Sequence, residues 1–464
     1  MNLLRKSLLT FRILADSLII VLAFYLTNFL FTGFFFNWGL RNSILIISIL
    51  IITWMFSSIA TFLYDEFRYR NYLYETYSIF KNVVIQGISL IVLLYFIPNQ
   101  YPKEIVFIFP VILFPALIVE KQLLRIIFYF LRKKGINLRN ILFVGVNDFS
   151  VNLYSQMVRY SNFGYNPIGF IGNKKRNNID IPVIGNIDNL ESVLNRNKID
   201  DVVLSLPTIT PEEVKSVTAL CEKHISKVLI LHENFDILLA NYESRIIDYP
   251  ILSIRRDDIN HLHWRFFKRI LDLVFTILLF IFIFSWLFPL VAILIKYESK
   301  GDLFFKQIRT GKNNKPFRIY KFRTMYSDST DFDDQGNFKQ ARKNDSRITK
   351  IGTWLRKTSI DELPQFINIL KGEMSLVGPR PHAVSHNELY IDKIQNFNLR
   401  HTIKPGLTGW AQIKGYRGPT PTIDLMQKRV EHDIWYINNW SFSLDIQIII
   451  LSIWLMLKGD KNAY

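Results

Sequence analysis

Long apolar runs separated by short polar segments dominate the N-terminal part of the chain. Runs of this length with few charges predict membrane helices. The first two are long enough to cross a bilayer, at about 20 residues each, whereas the next two are near 15 residues and are expected to begin in the interface. The four runs cover approximately Ala15–Phe36, Ser43–Leu63, Val83–Ile97 and Ile105–Val119. They predict a four-helix transmembrane unit over residues 1–138.

Basic residues predict the orientation of this unit. They concentrate at the N-terminus, between the second and third runs, and after the fourth, so the positive-inside rule puts both ends of the unit in the cytoplasm. The other two loops hold only Arg41 and Lys103. Arg12 and Asp16 are four residues apart, so they share a helix face and are expected to pair at the membrane edge. The basic clusters are Arg5, Lys6 and Arg12; Arg68, Arg70 and Lys81; and Lys121, Arg125, Arg132, Lys133, Lys134 and Arg139.

Residues 139–260 have a different pattern, in which short apolar strands alternate with helical segments. This alternation predicts an α/β module with a doubly wound, Rossmann-like parallel sheet. The first strand ends at Gly145, but the dinucleotide fingerprint needs three glycines there, and a Tyr-x-x-x-Lys motif is also missing. The sequence therefore favours a structural or regulatory module without redox chemistry. The predicted strands are Ile141–Gly145, Ile168–Gly172, Asp201–Leu206 and Val228–Leu231.

A fifth apolar run, about Ile270–Ile295, has positive charge before and after it and contains Pro289. Charge at both ends disfavours a crossing helix, and proline interrupts the helical hydrogen-bond ladder. Both facts fit a re-entrant helix that enters the inner leaflet, kinks at Pro289 and returns. A conventional kinked span is the alternative. A sixth apolar segment, Leu444–Leu457, is short for a span and is expected to lie on the membrane surface.

The composition of the chain indicates which kinds of molecule the protein binds. The chain has 464 residues, of which half are hydrophobic, and a formal net charge of +17. In so apolar a protein the excess of cations indicates lipid headgroups and phosphorylated substrates rather than nucleic acid. The single cysteine, Cys221, excludes an intramolecular disulfide and a multi-cysteine zinc site.

The candidate chemistry centres on Asp361-Glu362, which lies between Arg356 and Pro364. Arg380 follows in a rigid Gly-Pro-Arg-Pro turn. Adjacent carboxylates can hold Mg²⁺ through oxygen, and arginines can fork onto phosphate oxygens, so together they indicate phosphoryl chemistry. The alternative is a helix start with acids at the positive end of the dipole.

Other C-terminal segments carry weaker signals. Taken together, the segments Gln307–Gly311 and Phe317–Met325 interleave cations with aromatic residues, which suits a phosphate site beside a membrane. The Asp-rich stretch Tyr326–Asn344 is predicted to be a solvated loop rather than a metal site. Trp410 is expected to pack in the core rather than against a flat ligand.

Four motifs follow one another in the C-terminal part of the chain: Lys-Phe-Arg-Thr-Met at 321–325, Asp-Glu-Leu-Pro-Gln at 361–365, Val-Gly-Pro-Arg-Pro at 377–381 and Lys-Pro-Gly-Leu-Thr-Gly-Trp-Ala-Gln at 404–412. In this order they closely resemble the bacterial sugar transferases, which are polyprenyl-phosphate hexose-1-phosphate transferases. The resemblance covers about residues 265–464, and the N-terminal half is similar in architecture to large members with four spans and a Rossmann-like module.

The resemblance implies a mostly α-helical, monotopic catalytic domain on the cytoplasmic side of the bacterial inner membrane. It implies transfer of hexose 1-phosphate from a UDP-sugar to undecaprenyl phosphate with release of UMP, as the first membrane step of exopolysaccharide, capsule or O-antigen synthesis. UDP-glucose or UDP-galactose would be the default donor. By position, Asp361 is the nucleophile that becomes phosphorylated, and Glu362 assists it with Mg²⁺ or proton handling. The implied phosphate ligands are Arg356, Arg380, Lys321 and Arg323, and Pro289 is the re-entrant break, where Phe288 replaces the serine of some members.

Two other functions are weighed against this one. A membrane-bound nucleotide-sugar dehydratase or epimerase could share the four-span, Rossmann-like layout, but the missing glycine fingerprint argues against it. A non-catalytic scaffold would leave the C-terminal motifs unexplained. The sequence leaves open the transferred hexose, the polysaccharide that is made, the role of the α/β module and homo-oligomerisation.

Overall fold

The chain divides into two compact units. The first comprises Met1–Thr210 with Val228–Ser253, and the second comprises Pro211–Lys227 with Ile254–Tyr464. The computed structural model describes residues 2–32, 40–61, 63–64, 72–96, 103–160, 164–172, 181–206, 208–232, 244–246, 249–254, 259, 261–327, 329, 345–418 and 422–458. Most of the predicted Asp-rich loop lies outside these residues.

Four long helices begin the first unit: α1 (Asn2–Thr32), α2 (Leu40–Ala60), α3 (Tyr72–Phe96) and α4 (Ile105–Lys133). Each packs on two neighbours, since α1 and α3 both contact α2 and α4. The helices α3 and α4 are longer than the apolar runs predicted. Their additional turns contain polar side chains, including Glu75 and Lys121, that are buried.

A polar cluster joins α1 to α2, to the residues that follow α2, and to α4. The Asp16 carboxylate accepts hydrogen bonds from Trp54 Nε1 at 3.1 Å and the Tyr64 hydroxyl at 2.7 Å, and it pairs with Lys121. Arg12 donates to the backbone carbonyl of Tyr64 at 3.3 Å. Charged groups inside a membrane bundle are expected to be satisfied by one another in this way.

The α/β module has a seven-stranded sheet in the order β3-β2-β1-β4-β5-β7-β6. The neighbours β1–β2, β2–β3 and β1–β4 are parallel, as predicted. The prediction did not include β3, β6 or β7, and β7 is antiparallel to both β5 and β6. The first five strands follow a Rossmann order. The strands are β1 (Arg139–Val144), β2 (Tyr165–Ile171), β3 (Val183–Gly185), β4 (Asp201–Leu206), β5 (Lys227–His232), β6 (Ser244–Ile246) and β7 (Tyr249–Ser253).

The turn after β1 explains why a glycine is required at position 145. Gly145 has a φ of +89°, and a Cβ at this position would lie 2.3 Å from Thr208 Oγ1. The glycine is therefore required by the close approach of Thr208 and by a left-handed backbone. The next residues, Val146 and Asn147, lead into α5 (Asp148–Arg159), which Asn147 caps.

The helix α6 (Leu190–Arg196) belongs to the first unit. The next helix, α7 (Pro211–Lys223), belongs to the second unit, where it packs on a 3₁₀ helix at Phe397–Thr402. The membrane segment begins with α8 (Leu262–Leu279) and ends with α9 (Ser285–Glu298).

A π-helical turn at Phe280–Phe284 joins α8 to α9. Pro289 lies inside α9, so the helix continues through it and the irregularity lies one turn earlier than predicted. Proline cannot donate to the preceding turn and its ring crowds that turn, which a wider π turn relieves.

Both ends of this apolar segment are bonded to the second unit. Near its start, Arg269 donates to the carbonyls of Ile369 at 2.5 Å and Leu370 at 2.8 Å. At its end, the Glu298 carboxylate accepts from the backbone N–H groups of Lys350 at 2.8 Å and Ile351 at 2.9 Å. Attachment of both ends to one unit is compatible with a re-entrant helix, which stays a prediction.

The remaining elements follow the apolar segment in the second unit. The strands β8 and β9 pair as an antiparallel hairpin, and β10 and β11 pair in parallel. These elements are β8 (Phe304–Thr310), β9 (Pro316–Phe322), α10 (Lys350–Lys357), α11 (Gln365–Lys371), β10 (Ser375–Val377), α12 (Val384–Tyr390), β11 (Gly406–Thr408), α13 (Trp410–Ile413), α14 (Ile423–Asn438) and α15 (Phe442–Lys458).

Five helical segments within the described residues are long and apolar enough to span a membrane, namely α1 to α4 and the segment Trp264–Glu298. The protein is therefore a multi-pass membrane protein. The shorter α15 packs on α13, β10 and β11, while Ile450 and Trp454 on its other face are exposed. One buried face and one exposed apolar face are typical of a helix at a membrane surface.

Candidate active site

The two carboxylates predicted as a dyad lie in a 3₁₀ turn at Ile360–Glu362, between α10 and α11. Ser359, just before the turn, has a φ of +58°, and this left-handed residue separates α10 from the turn. The helix-start interpretation is therefore correct in part, because α11 begins three residues after Glu362. A 3₁₀ helix has about three residues per turn, so neighbouring side chains point in different directions.

Glu362 is buried and held by cations. Its Oε1 accepts from Lys321 Nζ at 2.6 Å and Arg380 Nη2 at 2.7 Å, and its Oε2 accepts from Arg380 Nη1 at 3.3 Å. Burial alone would raise the pKa of Glu362, but Arg380 and Lys321 hold that pKa well below its usual value. Glu362 is therefore a fixed anion that orients two cations.

Asp361 has different surroundings. It is half-buried, and no hydrogen bond joins its carboxylate to another residue in the described part of the chain. Burial raises the pKa of Asp361 to about 6; Lys321 opposes this rise, and Glu362 adds to it. Its oxygens are therefore available to a substrate or an ion.

Arg356, near the end of α10, completes the predicted cluster. Its Nε donates to Thr324 Oγ1 at 2.9 Å. Burial lowers the pKa of Arg356, and Asp361 opposes that shift, which places the guanidinium within electrostatic reach of Asp361. The structure thus brings Arg356, Arg380 and Lys321 to the same two carboxylates.

Comparison with known proteins identifies the family. Residues 263–459 match the family described as "Bacterial sugar transferase". A "UDP-glucose:undecaprenyl-phosphate glucose-1-phosphate transferase" of Klebsiella pneumoniae is 33% identical over 97% of this chain and 95% of its own length. The chain belongs to the bacterial sugar transferase family. The resemblance found in the sequence motifs is confirmed, and a dehydratase or a non-catalytic scaffold is no longer needed to explain them.

Two further relatives of this sugar transferase show that the sugar given in the name is not the same throughout. A protein with the same name from Xanthomonas campestris pv. campestris is 34% identical over 75% of this chain and 72% of its own length. A "UDP-N-acetylgalactosamine-undecaprenyl-phosphate N-acetylgalactosaminephosphotransferase" of Aeromonas hydrophila is 38% identical over 51% of this chain and 52% of its own length. Residues 59–231 match a family described as "CoA-binding domain".

Arg323 does not join the sugar transferase's carboxylate cluster. Its Nη1 donates to the Lys300 carbonyl at 2.8 Å, and its Nη2 donates to the Ser299 carbonyl at 2.8 Å. Strand β9 ends at Phe322, so Arg323 does not continue the strand alternation that directs Lys321 toward Glu362. Arg323 therefore fixes the chain that follows α9, and its phosphate-binding role stays a prediction that these contacts do not support.

Two further arginines lie near the site: Arg417 was not predicted, whereas Arg309 lies in the segment Gln307–Gly311 that was expected to suit a phosphate site. Arg417 Nη2 donates to Ser359 Oγ at 2.9 Å and lies 3.9 Å from Glu362 Oε2. Arg309 on β8 is close enough to Arg380 and Glu362 to interact with both; burial and then Arg380 lower its pKa to about 10. Arg417 lies in a glycine-containing turn, the same signal that singled out Arg380.

The described part of the site thus contains five cations around two carboxylates. Glu362 offsets part of this charge, and the remainder favours a bound anion such as a diphosphate. The cations are Lys321, Arg309, Arg356, Arg380 and Arg417.

The carboxylates differ in their suitability for Mg²⁺. Mg²⁺ commonly takes one or two carboxylates together with substrate phosphates. Asp361 fits this role because its oxygens accept no hydrogen bond from a described residue. Glu362 does not fit in the observed arrangement, because its oxygens already receive Lys321 and Arg380. The described residues contain no group of three His, Cys, Asp or Glu side chains arranged to hold a metal.

Trp410 packs as predicted. Its ring stacks on Trp435 with centroids 4.6 Å apart and an interplanar angle of 19°, and it contacts the apolar core of the second unit. Its place in the core leaves the carboxylate cluster as the candidate reaction centre.

Proposed function

We propose that this protein transfers hexose 1-phosphate from a UDP-sugar to undecaprenyl phosphate and releases UMP. The names of its relatives support the donor and acceptor classes. The observation that carries the chemical proposal is the unequal pair: Glu362 is held by cations, whereas the Asp361 carboxylate beside it has no hydrogen bond to a described residue.

In the first step, an Asp361 oxygen attacks the phosphorus that carries the sugar. The bond from this phosphorus to the bridging oxygen breaks, UMP leaves with the electron pair, and an aspartyl-phosphosugar forms. In the second step, a phosphate oxygen of undecaprenyl phosphate attacks the same phosphorus and releases the Asp361 carboxylate. Two successive displacements let one anionic site deal with one partner at a time.

The cations stabilise the charge that develops on phosphate. Arg356 and Arg417 lie at the edges of the cluster and are proposed to contact the diphosphate directly. Arg380 and Lys321 are held by Glu362, which preorganises them for the transition state at little cost in reorganisation. Mg²⁺ is proposed to bind Asp361 and substrate phosphates, where it would shield the charge of the diphosphate.

The membrane segments are proposed to place this reaction at the cytoplasmic face of the bacterial inner membrane. The acceptor is a lipid, so the carboxylate cluster must lie at headgroup height. The apolar segment Trp264–Glu298 and the exposed face of α15 belong to the same unit as the cluster and would hold it there. The product would begin the assembly of an exopolysaccharide, a capsule or an O-antigen.

Assays of membranes with a panel of UDP-sugars and undecaprenyl phosphate test the proposal. We expect release of UMP with at least one UDP-hexose. Asp361→Asn should abolish this release, whereas Asp424→Asn, which changes an exposed carboxylate on α14, should not. Turnover by Asp361→Asn at the wild-type rate would remove Asp361 from the chemistry.

A further inference from the structure

Behind the carboxylate cluster lies a second group of charged side chains with no role in the proposed chemistry. We call it the buried arginine core; it consists of Arg400, Arg429, His382 and Asp433. All four are almost inaccessible to solvent. Burying two guanidiniums is costly, and an ion pair between Arg400 and the Asp433 carboxylate at 2.7 Å offsets part of this cost.

Arg400 connects this core to the loop that carries Arg380. Its Nη2 donates to the Arg380 backbone carbonyl at 2.8 Å, and its Nη1 lies 2.7 Å from His382 Nδ1. His382 follows Arg380 by two residues in the same loop. Arg400 therefore holds the Arg380 loop at two points and fixes it to Asp433 on α14.

Arg429 connects the same core to the loop that carries Arg417. Its Nη2 donates to the carbonyl of Gly418, the residue after Arg417, and its Nη1 lies 3.3 Å from His382 Nε2. Arg429 and Asp433 are four residues apart, so they share one face of α14. The two loops thus rest on a common support.

We propose that the buried arginine core is a positioning device that sets the separation of Arg380 and Arg417, and through them the width of the phosphate site. Both arginines face Glu362 from different loops, and neither loop is part of a long helix or strand that could fix its position. This inference rests on the proposed transferase function, because its readout is the use of the UDP-sugar.

A positioning role for the buried arginine core makes a prediction that a general contribution to stability does not make. If Arg429 acts by placing Arg417, its contribution must depend on the presence of the Arg417 side chain. Residues that act through one another give non-additive effects in a double-mutant cycle, whereas independent sites give additive ones.

The test is a cycle of Arg429→Met and Arg417→Ala with KM and kcat for the UDP-sugar as readouts. In the wild-type background we expect Arg429→Met to raise KM about tenfold with a smaller change in kcat. In the Arg417→Ala background the same substitution should change KM less than twofold. Lys428→Met removes a cation from an exposed position of the same helix and should leave both constants unchanged.

If the Arg429→Met variant does not fold, Arg429→Lys takes its place in the double-mutant cycle. Lysine keeps the charge but can reach only one of His382 and Gly418, so we expect an intermediate rise in KM that also disappears in the Arg417→Ala background. An equal effect in both backgrounds would overturn the positioning role while leaving the transferase function in place. A wild-type protein that releases no UMP would overturn the proposed function and this inference together.

Discussion

Asp361 and Glu362 are neighbours in the chain, yet their carboxylates lie in different electrostatic surroundings. The 3₁₀ turn points Glu362 at Lys321 and Arg380, whereas Asp361 is left without a hydrogen bond to a described residue. This division supports a fixed anion beside a reactive one. The difference between the two carboxylates depends on the three-residue turn and on cations that are far away in the sequence but bonded to Glu362.

The pH dependence of transfer should report the Asp361 carboxylate. Its pKa is raised to about 6 by burial, and only the ionised form can attack phosphorus. We expect kcat/KM for the UDP-sugar to fall as pH is lowered through about 6, approaching a tenfold loss per pH unit. A pH–rate profile measures this directly.

Lys321→Met should move that midpoint to higher pH. Lys321 is the strongest influence lowering the Asp361 pKa, and its loss also leaves Glu362 less neutralised, which acts in the same direction. Lys371→Met, which removes an exposed cation from α11, should leave the midpoint in place. A shift to lower pH in Lys321→Met would contradict the electrostatic account.

Arg417→Ala should weaken use of the UDP-sugar. A charge-assisted contact to phosphate contributes about 1.5–3 kcal/mol, so kcat/KM should fall about 10- to 150-fold. Arg417→Lys keeps the charge but not the forked donor and should recover part of the loss. Lys306→Ala on the exposed face of β8 is the matched control. Unchanged kinetics for Arg417→Ala would remove this residue from the site.

At the residue scale, the motifs predicted the carboxylate pair, Arg356, Arg380 and Lys321. They could not separate Lys321 from Arg323, because only the end of β9 at Phe322 decides which of the two reaches Glu362. Arg417 was missed because its approach to Ser359 depends on a contact between residues 58 positions apart.

At the element scale, α10 depends on close backbone packing. A Cβ at Gly352 would lie 2.1 Å from the Thr324 carbonyl oxygen, and Arg356 on the same helix bonds to the Thr324 side chain. Alanine normally favours helix by about 1 kcal/mol over glycine, but the clash opposes this gain. The position of Arg356 therefore depends on a glycine one turn earlier.

Gly352→Ala should lower the free energy of unfolding by about 1–3 kcal/mol, because overpacking displaces α10. It should also reduce UMP release, since Arg356 moves with the helix. Thr353→Ala changes an exposed residue of the same helix and should do neither. Thermal unfolding together with the UMP assay would check both expectations. A Gly352→Ala protein that is more stable than the wild type would show that α10 tolerates the added methyl group.

The apolar pattern predicted the end of α3 and the start of α4, but not the polar turns at the start of α3 and the end of α4. Glu75, Asn82 and Gln86 are buried on α3, and a polar residue that is satisfied by a partner cannot be distinguished in the sequence from an exposed one. The π turn at Phe280–Phe284 also has no signal of its own, since the proline that accompanies it lies five residues beyond.

At the scale of the whole molecule, the distribution of basic residues predicts a topology. Reporters at residue 1, near residue 135 and at residue 464 should all be cytoplasmic, because the four-helix unit crosses an even number of times and the segment Trp264–Glu298 returns to the side it entered. Fusions to a reporter active only in the cytoplasm would measure this. An external signal at residue 464 would show that the segment crosses the membrane.

The apolar runs predicted the membrane helices, the alternation of strands and helices predicted the α/β sheet, and the motifs predicted the transferase part, whereas the domain boundaries drawn from them stay predictions. The assignment of Pro211–Lys227 to the unit that contains the catalytic cluster was not predictable. The helix α7 reads in the sequence as an ordinary crossover, and only its contacts, such as the bond from Asn398 to the Lys223 carbonyl at 2.6 Å, reveal where it packs.

Trapping of the covalent intermediate tests the central claim most directly. Purified protein is incubated with the UDP-sugar that supports UMP release, without undecaprenyl phosphate, and its intact mass is measured. We predict an added mass of one hexose phosphate on the peptide that contains Asp361, its loss when undecaprenyl phosphate is added, and its absence in Asp361→Asn. Acceptor-dependent transfer without any adduct, or an adduct that persists in Asp361→Asn, would contradict the assignment of Asp361 as the nucleophile.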